Sequence, residues 1–92
     1  MPQVFKIGSY IVYFWSNEGM PLEPVHVHIA FKKPKPDATK VWITSEGHCL
    51  LANNNSKIPK TNLNNFIRII ESQIDIIEQA WIKHFGEISY YC

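Results

Sequence analysis

The sequence predicts an α+β protein in which an antiparallel sheet of about four strands, connected as a meander, packs against one long C-terminal helix. Three observations support this class. Apolar and polar residues alternate in the first half of the chain, which is the period of a strand with one face on a core. After residue 61 the apolar period becomes that of a helix. The 92 residues are enough for a single domain, residues 1–92.

The first strand region covers residues 4–15, as one long strand or as two short strands with a kink at Gly8. Its residues are mainly β-branched and aromatic, the types that suit a half-buried sheet surface. Asn17-Glu18-Gly19 then predicts a turn.

The next strand, residues 25–31, alternates strictly between two faces. Its apolar face is expected to meet the helix, and it carries Val25, Val27, Ile29 and Phe31. Its other face carries His26, His28 and Ala30. Two histidines two positions apart on a strand project from the same face.

Residues 40–45 predict a third strand, with Val41 and Ile43 on the side opposite to Trp42. Glu46-Gly47 predicts a hairpin turn, because glycine adopts the positive φ that tight hairpin turns require. The fourth strand is expected over residues 48–52.

Residues 62–85 predict one long amphipathic helix. Thr61 or Asn62 can supply the N-cap oxygen, and Gly86 is placed to end the helix in the left-handed conformation. The tail, residues 87–92, can add a short edge strand. The side of the helix that meets the sheet consists of Leu63, Phe66, Ile67, Ile70, Ile74, Ile77, Trp81 and Phe85.

Composition excludes two classes of protein. With 46% hydrophobic and 18% charged residues the chain is not disordered. Its longest apolar run, residues 10–15, is far shorter than the ~20 residues of a membrane-spanning helix. No signal peptide is recognisable, and Cys49 and Cys92 are too few for a disulfide framework. A cytoplasmic location is therefore expected.

The arrangement of the strands and the helix resembles a bacterial family, domain of unknown function 4160. The resemblance covers roughly residues 2–85, and its motifs here are Phe14-Trp15, Pro24-Val25-His26-Val27-His28, Glu46-Gly47, Pro59 and Trp81. Leu22-Glu23-Pro24 departs from the family pattern, which often has a further histidine or acid and paired prolines there. The family is similar to small proteins found beside toxin–antitoxin-type genes, so the resemblance implies an accessory or interaction role.

The histidine pair is the strongest candidate for chemistry. His26 and His28 can provide two ligands of a divalent transition metal, and His48 is a candidate third ligand, with Glu46, Glu23 and Asp37 as the other candidates. The same two imidazoles can act as general acid and base at neutral pH. The structural alternative is a pair of histidines packed on a half-buried strand. No nucleophile, carboxylate pair or phosphate-binding glycine loop is recognisable, so the sequence leaves an enzyme open and favours a non-catalytic role without a cofactor.

Two further surfaces are candidates for binding. Lys32, Lys33, Lys35 and Lys40 lie on or beside a Lys/Pro loop and can contact phosphates, although a solvated loop is the favoured interpretation. On the helix, a second apolar strip away from the sheet consists of Ile69, Ile76 and Ala80 and indicates either a wider core contact or a partner interface.

The leading functional hypothesis is therefore an interaction or accessory module that binds a cognate protein or a second copy through its helix strip and sheet face. The alternatives are a small His-dependent or metal-dependent nuclease-like enzyme centred on His26 and His28, and a weak nucleic-acid-binding module. Neither a membrane nor a nucleic acid is the expected partner.

Overall fold

The computed structural model describes residues 2–16 and 21–92. The turn predicted at Asn17-Glu18-Gly19 lies outside these residues. The described part contains five strands and two helices: β1 Gln3–Ile7, β2 Tyr10–Tyr13, β3 His26–Phe31, β4 Thr39–Ile43, β5 Cys49–Asn53, α1 Lys60–Ser72 and α2 Ile74–Phe85. The fold is thus α+β, as the sequence predicts.

The strands form one antiparallel meander in the order β1-β2-β3-β4-β5. The expected number of about four is wrong by one, because the first strand region divides at a turn. Gly8 has φ 60°, which a strand residue does not adopt, and the chain reverses there to pair β1 with β2. At the hairpin predicted for Glu46-Gly47, Gly47 has φ 82° and donates its backbone N–H to the Thr44 carbonyl at 3.1 Å.

The single long helix predicted for residues 62–85 is also wrong, since the helical segment consists of α1 and α2 with a break at Gln73. The Gln73 N–H bonds to the carbonyl of Ile70, three residues back, and Gln73 has φ −118°. Helix α1 begins at Lys60, directly after Pro59, and neither Thr61 nor Asn62 provides the predicted side-chain cap. Pro59 is the N-cap residue, and its carbonyl accepts the Leu63 N–H at 2.8 Å.

The helices pack on one face of the sheet, and the main core lies between them. The inward residues of the strands and helices are those that their periods predict, with Phe31 the exception at 44% exposure. The core consists of Val12, Phe14, Val25, Val27, Ile29, Val41, Ile43, Ile58, Leu63, Phe66, Ile70, Ile74, Ile77 and Trp81.

The opposite face of the sheet is buried as well. Ile11, Tyr13, Ala30 and Ala38 form a second, smaller cluster on that face, with Trp15 packed against it. The central strands of the sheet therefore have buried side chains on both faces.

Gly86 ends α2 with φ 81°, as predicted. Residues 86–92 then cross the end of the sheet without forming the predicted edge strand. The Ser89 carbonyl accepts a hydrogen bond from the Val25 N–H at 2.8 Å, and the Cys92 carbonyl accepts one from the Ser45 N–H at 3.0 Å. No helix in the described ranges is long and apolar enough to cross a membrane.

Candidate functional site

The two histidines lie on β3, the central strand, on the face opposite to Val27 and Ile29, and the His26 ring also meets Trp81 of α2. Antiparallel pairing places His26 beside Trp42 of β4 and His28 between Tyr13 of β2 and Lys40 of β4. The alternation predicted for this strand therefore holds. It determines which aromatic side chains surround the imidazoles.

Both imidazoles are packed among aromatic rings. His26 is fully buried and His28 is 8% exposed. Their ring centroids are 5.1 Å apart, edge to face. His26 also contacts Trp42 at 5.5 Å and Trp81 of α2 at 5.3 Å, and His28 contacts Tyr13 at 5.6 Å. Such tilted and edge-to-face contacts stabilise a packed aromatic layer.

A backbone hydrogen bond fixes the orientation of His26. Its Nδ1 lies 2.9 Å from the carbonyl oxygen of Pro24. A carbonyl only accepts hydrogen bonds, so Nδ1 carries the hydrogen and donates it. The Pro-x-His arrangement noted in the sequence thus has a structural use, because it anchors the imidazole two residues after the proline.

Tyr13 hydrogen-bonds to the backbone of the lysine loop, residues 32–38 between β3 and β4, and so holds it against this face. Its hydroxyl donates to the carbonyl of Lys35 at 3.0 Å and accepts from the N–H of the same residue at 3.1 Å. Burial raises the pKa of Tyr13 above its usual value, and the bond to Lys35 opposes that increase. The loop backbone is therefore held against the sheet, while the side chains of Lys32, Lys33 and Lys35 are exposed.

Lys40 does not join the other lysines on the loop. Its ammonium forms an ion pair with Glu23 at 2.8 Å and lies 4.2 Å from the centroid of the Trp42 ring. Tyr91 of the C-terminal tail stacks on Trp42 with centroids 4.8 Å apart and planes 7° apart. Of the four lysines proposed for phosphate contact, Lys40 is therefore engaged within the protein, together with the ring of Trp42.

The predicted third metal ligand is not placed with the other two. His48 is exposed at the start of β5, with Nδ1 3.7 Å from the carboxylate of Glu71. Within residues 2–16 and 21–92, no group of three or more His, Cys, Asp or Glu side chains has a geometry that could hold a metal ion.

The predicted helix strip is divided between the two helices. Ile76 of α2 is 51% exposed, while Ile69 of α1 is half-buried. Ala80 is half-buried and packs against the main core. The break at Gln73 separates Ile69 from the other two residues, which a continuous helical wheel does not anticipate.

The sequence interpretation did not single out β5 as a candidate binding element. Leu50 and Leu51 are 42% and 40% exposed on opposite faces of this terminal strand. The Cys49 N–H donates to Glu71 at 2.9 Å. Burial and the Glu71 carboxylate raise the pKa of Cys49 to about 12. The available signal was the run Cys49-Leu50-Leu51-Ala52, which has no charged residue and no strict alternation.

Comparison with known proteins identifies a family. A family model described as Domain of unknown function (DUF4160) matches residues 9–82. This segment extends from the turn before β2 into α2 and includes His26, His28 and Trp81. The comparisons with curated proteins and with solved structures each find no match. Because the family model spans well over half of the sequence, the chain belongs to the DUF4160 family of domains of unknown function.

Proposed function

We propose that this chain is a small protein-interaction module that binds a cognate partner through the outward side of α2. The observation that carries the proposal is Ile76. It is the most exposed aliphatic side chain of the described residues, and it lies on a helix whose other side is fixed in the core.

The geometry of α2 makes Ile76 a suitable contact residue. Ile77 and Trp81 are fully buried against the sheet, which fixes the position of the helix. Ile82, 38% exposed, adds a second aliphatic side chain to the solvent side of the helix. An apolar group on a rigid element binds with a smaller loss of conformational entropy than one on a loop.

Electrostatics indicates the chemistry of the partner. Residues 61–92 carry two basic side chains and four acidic ones. Asp75 is exposed directly beside Ile76. The best match is a protein surface with an apolar centre bordered by lysine or arginine. The cognate protein of a toxin–antitoxin-like pair, the setting that the family resemblance implies, would be such a partner.

The histidine pair gives less support to the enzymatic alternative. General acid–base catalysis requires the imidazoles to come within hydrogen-bond distance of a substrate. His26 is fully buried and His28 nearly so, under packed aromatic rings. A role in packing this face accounts for both residues without a rearrangement of the fold.

The test selects partners from displayed fragments of the source genome and measures their affinity for four proteins. These are the wild type, Ile76→Lys, Ile69→Lys, and Asn55→Lys as the matched control, since Asn55 is an exposed polar residue in the loop before α1 and is not part of α2. Ile76→Lys is expected to weaken binding by at least about tenfold, which corresponds to ~1.4 kcal/mol, and Asn55→Lys much less. Fragments that bind Ile76→Lys as tightly as the wild type would contradict the proposal.

A fold control accompanies the binding measurement. Far-UV circular dichroism and thermal unfolding establish whether each variant is folded. If Ile76→Lys unfolds the chain, Ile76 belongs to the core and the outward side of α2 is not the binding surface.

A further inference from the structure

We propose that β5 and the adjoining side of α1 form a self-complementary edge through which two copies of this chain associate. The two five-stranded sheets would join into one continuous antiparallel sheet about a two-fold axis at Leu51. This surface does not include Ile76, so the inference is independent of the function proposed above.

The backbone of Leu51 faces away from the sheet. Thr44 and His48 are a hydrogen-bonded pair, with the Thr44 N–H donating to the His48 carbonyl at 2.9 Å. Bonded and non-bonded pairs alternate in an antiparallel ladder. Along the pairing of β4 with β5, Cys49 and Leu51 are therefore the residues whose N–H and C=O groups point outward.

Glu71 caps one of these outward positions and leaves the other open. The Cys49 N–H, which points away from β4, donates to the Glu71 carboxylate. An irregularity in the pairing follows Leu51, so the regular ladder covers Cys49 to Leu51. Leu51 is thus the residue at which a second strand can pair.

The two edges of the sheet differ in their protection against such pairing. β1 carries a charged side chain, Lys6, and has an irregular register near Gln3. β5 has no charged residue and no proline, and exposes Leu50 and Leu51. Charges and bulges are the usual devices that prevent edge-to-edge association. β5 carries no charge of its own, its register irregularity comes after Leu51, and Glu71 protects Cys49 but not Leu51.

Helix α1 supplies charge complementarity for a second copy. The chain leaves the end of β5, turns, and returns along α1 until Glu71 reaches the start of β5. Positions 60, 64, 67 and 71 share one side of a helix. The side of α1 toward the β5 edge therefore begins with Lys60 and ends with Glu71.

A two-fold axis brings the Lys60 end of one α1 to the Glu71 end of the other. Antiparallel pairing centred on Leu51 makes the two α1 helices antiparallel, because each α1 runs along its own β5. The Lys60 of each copy then faces the Glu71 of the other. Both contacts that Glu71 makes in the described part of the chain use Oε2, so Oε1 can accept from the second copy's Lys60. An extended peptide of unrelated sequence could pair with β5, but it would not supply the charges that match Lys60 and Glu71. A second copy of the chain supplies both.

Sedimentation velocity over a wide concentration range tests the inference. The wild type is expected to form a dimer, and Leu51→Lys is expected to raise the dimer Kd by about tenfold or more, since like charges then lie opposite each other. Ile76→Lys is the control and should leave the dimer intact. A wild type that stays monomeric at the highest concentration overturns the inference, as does a Leu51→Lys protein that dimerises like the wild type.

Charge reversal supplies a second test, in which Lys60→Glu is the variant that leaves the strand unchanged, because Glu71→Lys also removes the hydrogen bond to the Cys49 N–H. Lys60→Glu and Glu71→Lys should each weaken the dimer, and the double variant should restore it because the pair is re-formed with reversed charges. A double variant as weak as the sum of the single variants overturns the α1 contact. A wild type that binds a cognate partner but stays monomeric would overturn this inference and leave the proposed function standing.

Discussion

Tyr13→Phe tests whether the second face of the sheet is a packed layer. The substitution keeps the ring and removes the hydroxyl that bonds to both the N–H and the carbonyl of Lys35. A typical hydrogen bond contributes about 0.5–1.5 kcal/mol net. Lys35 is exposed, so water can replace part of what its backbone loses. The free energy of unfolding should fall by roughly 1–2 kcal/mol.

Urea and thermal unfolding measure this loss directly. For a domain of this size 1 kcal/mol corresponds to roughly 4–8 °C in Tm. Tyr91→Phe is the matched control, because it removes the same hydroxyl from a side chain that is 59% exposed, and it should change the free energy of unfolding by less than about 0.5 kcal/mol. Equal stability of Tyr13→Phe and the wild type would refute the argument that Tyr13 fastens the lysine loop.

The pH dependence of stability gives an independent measure of the same contact. Burial raises the pKa of Tyr13 in the folded protein above the 10.0 of an ordinary tyrosine. The neutral phenol is therefore favoured by folding. Its contribution to stability is complete below the pKa of the unfolded chain and decreases as the pH rises above it. The wild type should lose more stability than Tyr13→Phe above about pH 10, and parallel pH profiles would contradict this.

Three further predictions concern other parts of the chain. Burial raises the pKa of Cys49 to about 12, whereas Cys92 is exposed. Iodoacetamide at pH 8 should therefore alkylate Cys92 at least about a hundredfold faster than Cys49, as measured by peptide mass spectrometry. Equal rates would contradict the burial of the Cys49 thiol. Gly86→Ala should cost about 1 kcal/mol in urea unfolding, since Gly86 has φ 81° with open space around it, and no loss would mean that α2 does not need this cap. Ile76→Lys should change the free energy of unfolding by less than about 0.5 kcal/mol, whereas Ile77→Lys should unfold the protein; similar effects would contradict the orientation of α2.

Much of the fold follows from local pattern. The alternation in β3 places Val27 and Ile29 toward the helices and His26 and His28 on the other face, as the sequence predicts. The terminal glycine Gly86 ends the second helix as expected. These features depend on the periods of strand and helix and on the φ angles that glycine can adopt, so neighbouring residues suffice to predict them.

The break at Gln73 could not be predicted in this way. Ile70, Ile74 and Ile77 keep the period of a continuous helix across it, and glutamine is a good helix former. All three isoleucines are buried, two of them fully. The break therefore reflects how two helical segments fit onto a twisted sheet, and this depends on tertiary packing.

The burial of the second face is the other feature that the sequence does not reveal. Histidines alternating with apolar residues are equally typical of a strand with one wet face. Here Tyr13 and Trp42 approach the imidazoles from neighbouring strands, and Trp81 approaches from α2. Contacts between residues so far apart in the chain arise only from the strand order and the path of the helices.

The affinity of a selected partner fragment for Ile76→Lys, compared with Asn55→Lys and His28→Ala, tests the central claim most directly. The proposed interaction module predicts that Ile76→Lys alone loses binding by at least about tenfold, with all three variants folded. Unchanged binding by Ile76→Lys, together with loss in His28→Ala, would contradict it and move the functional site to the histidine face.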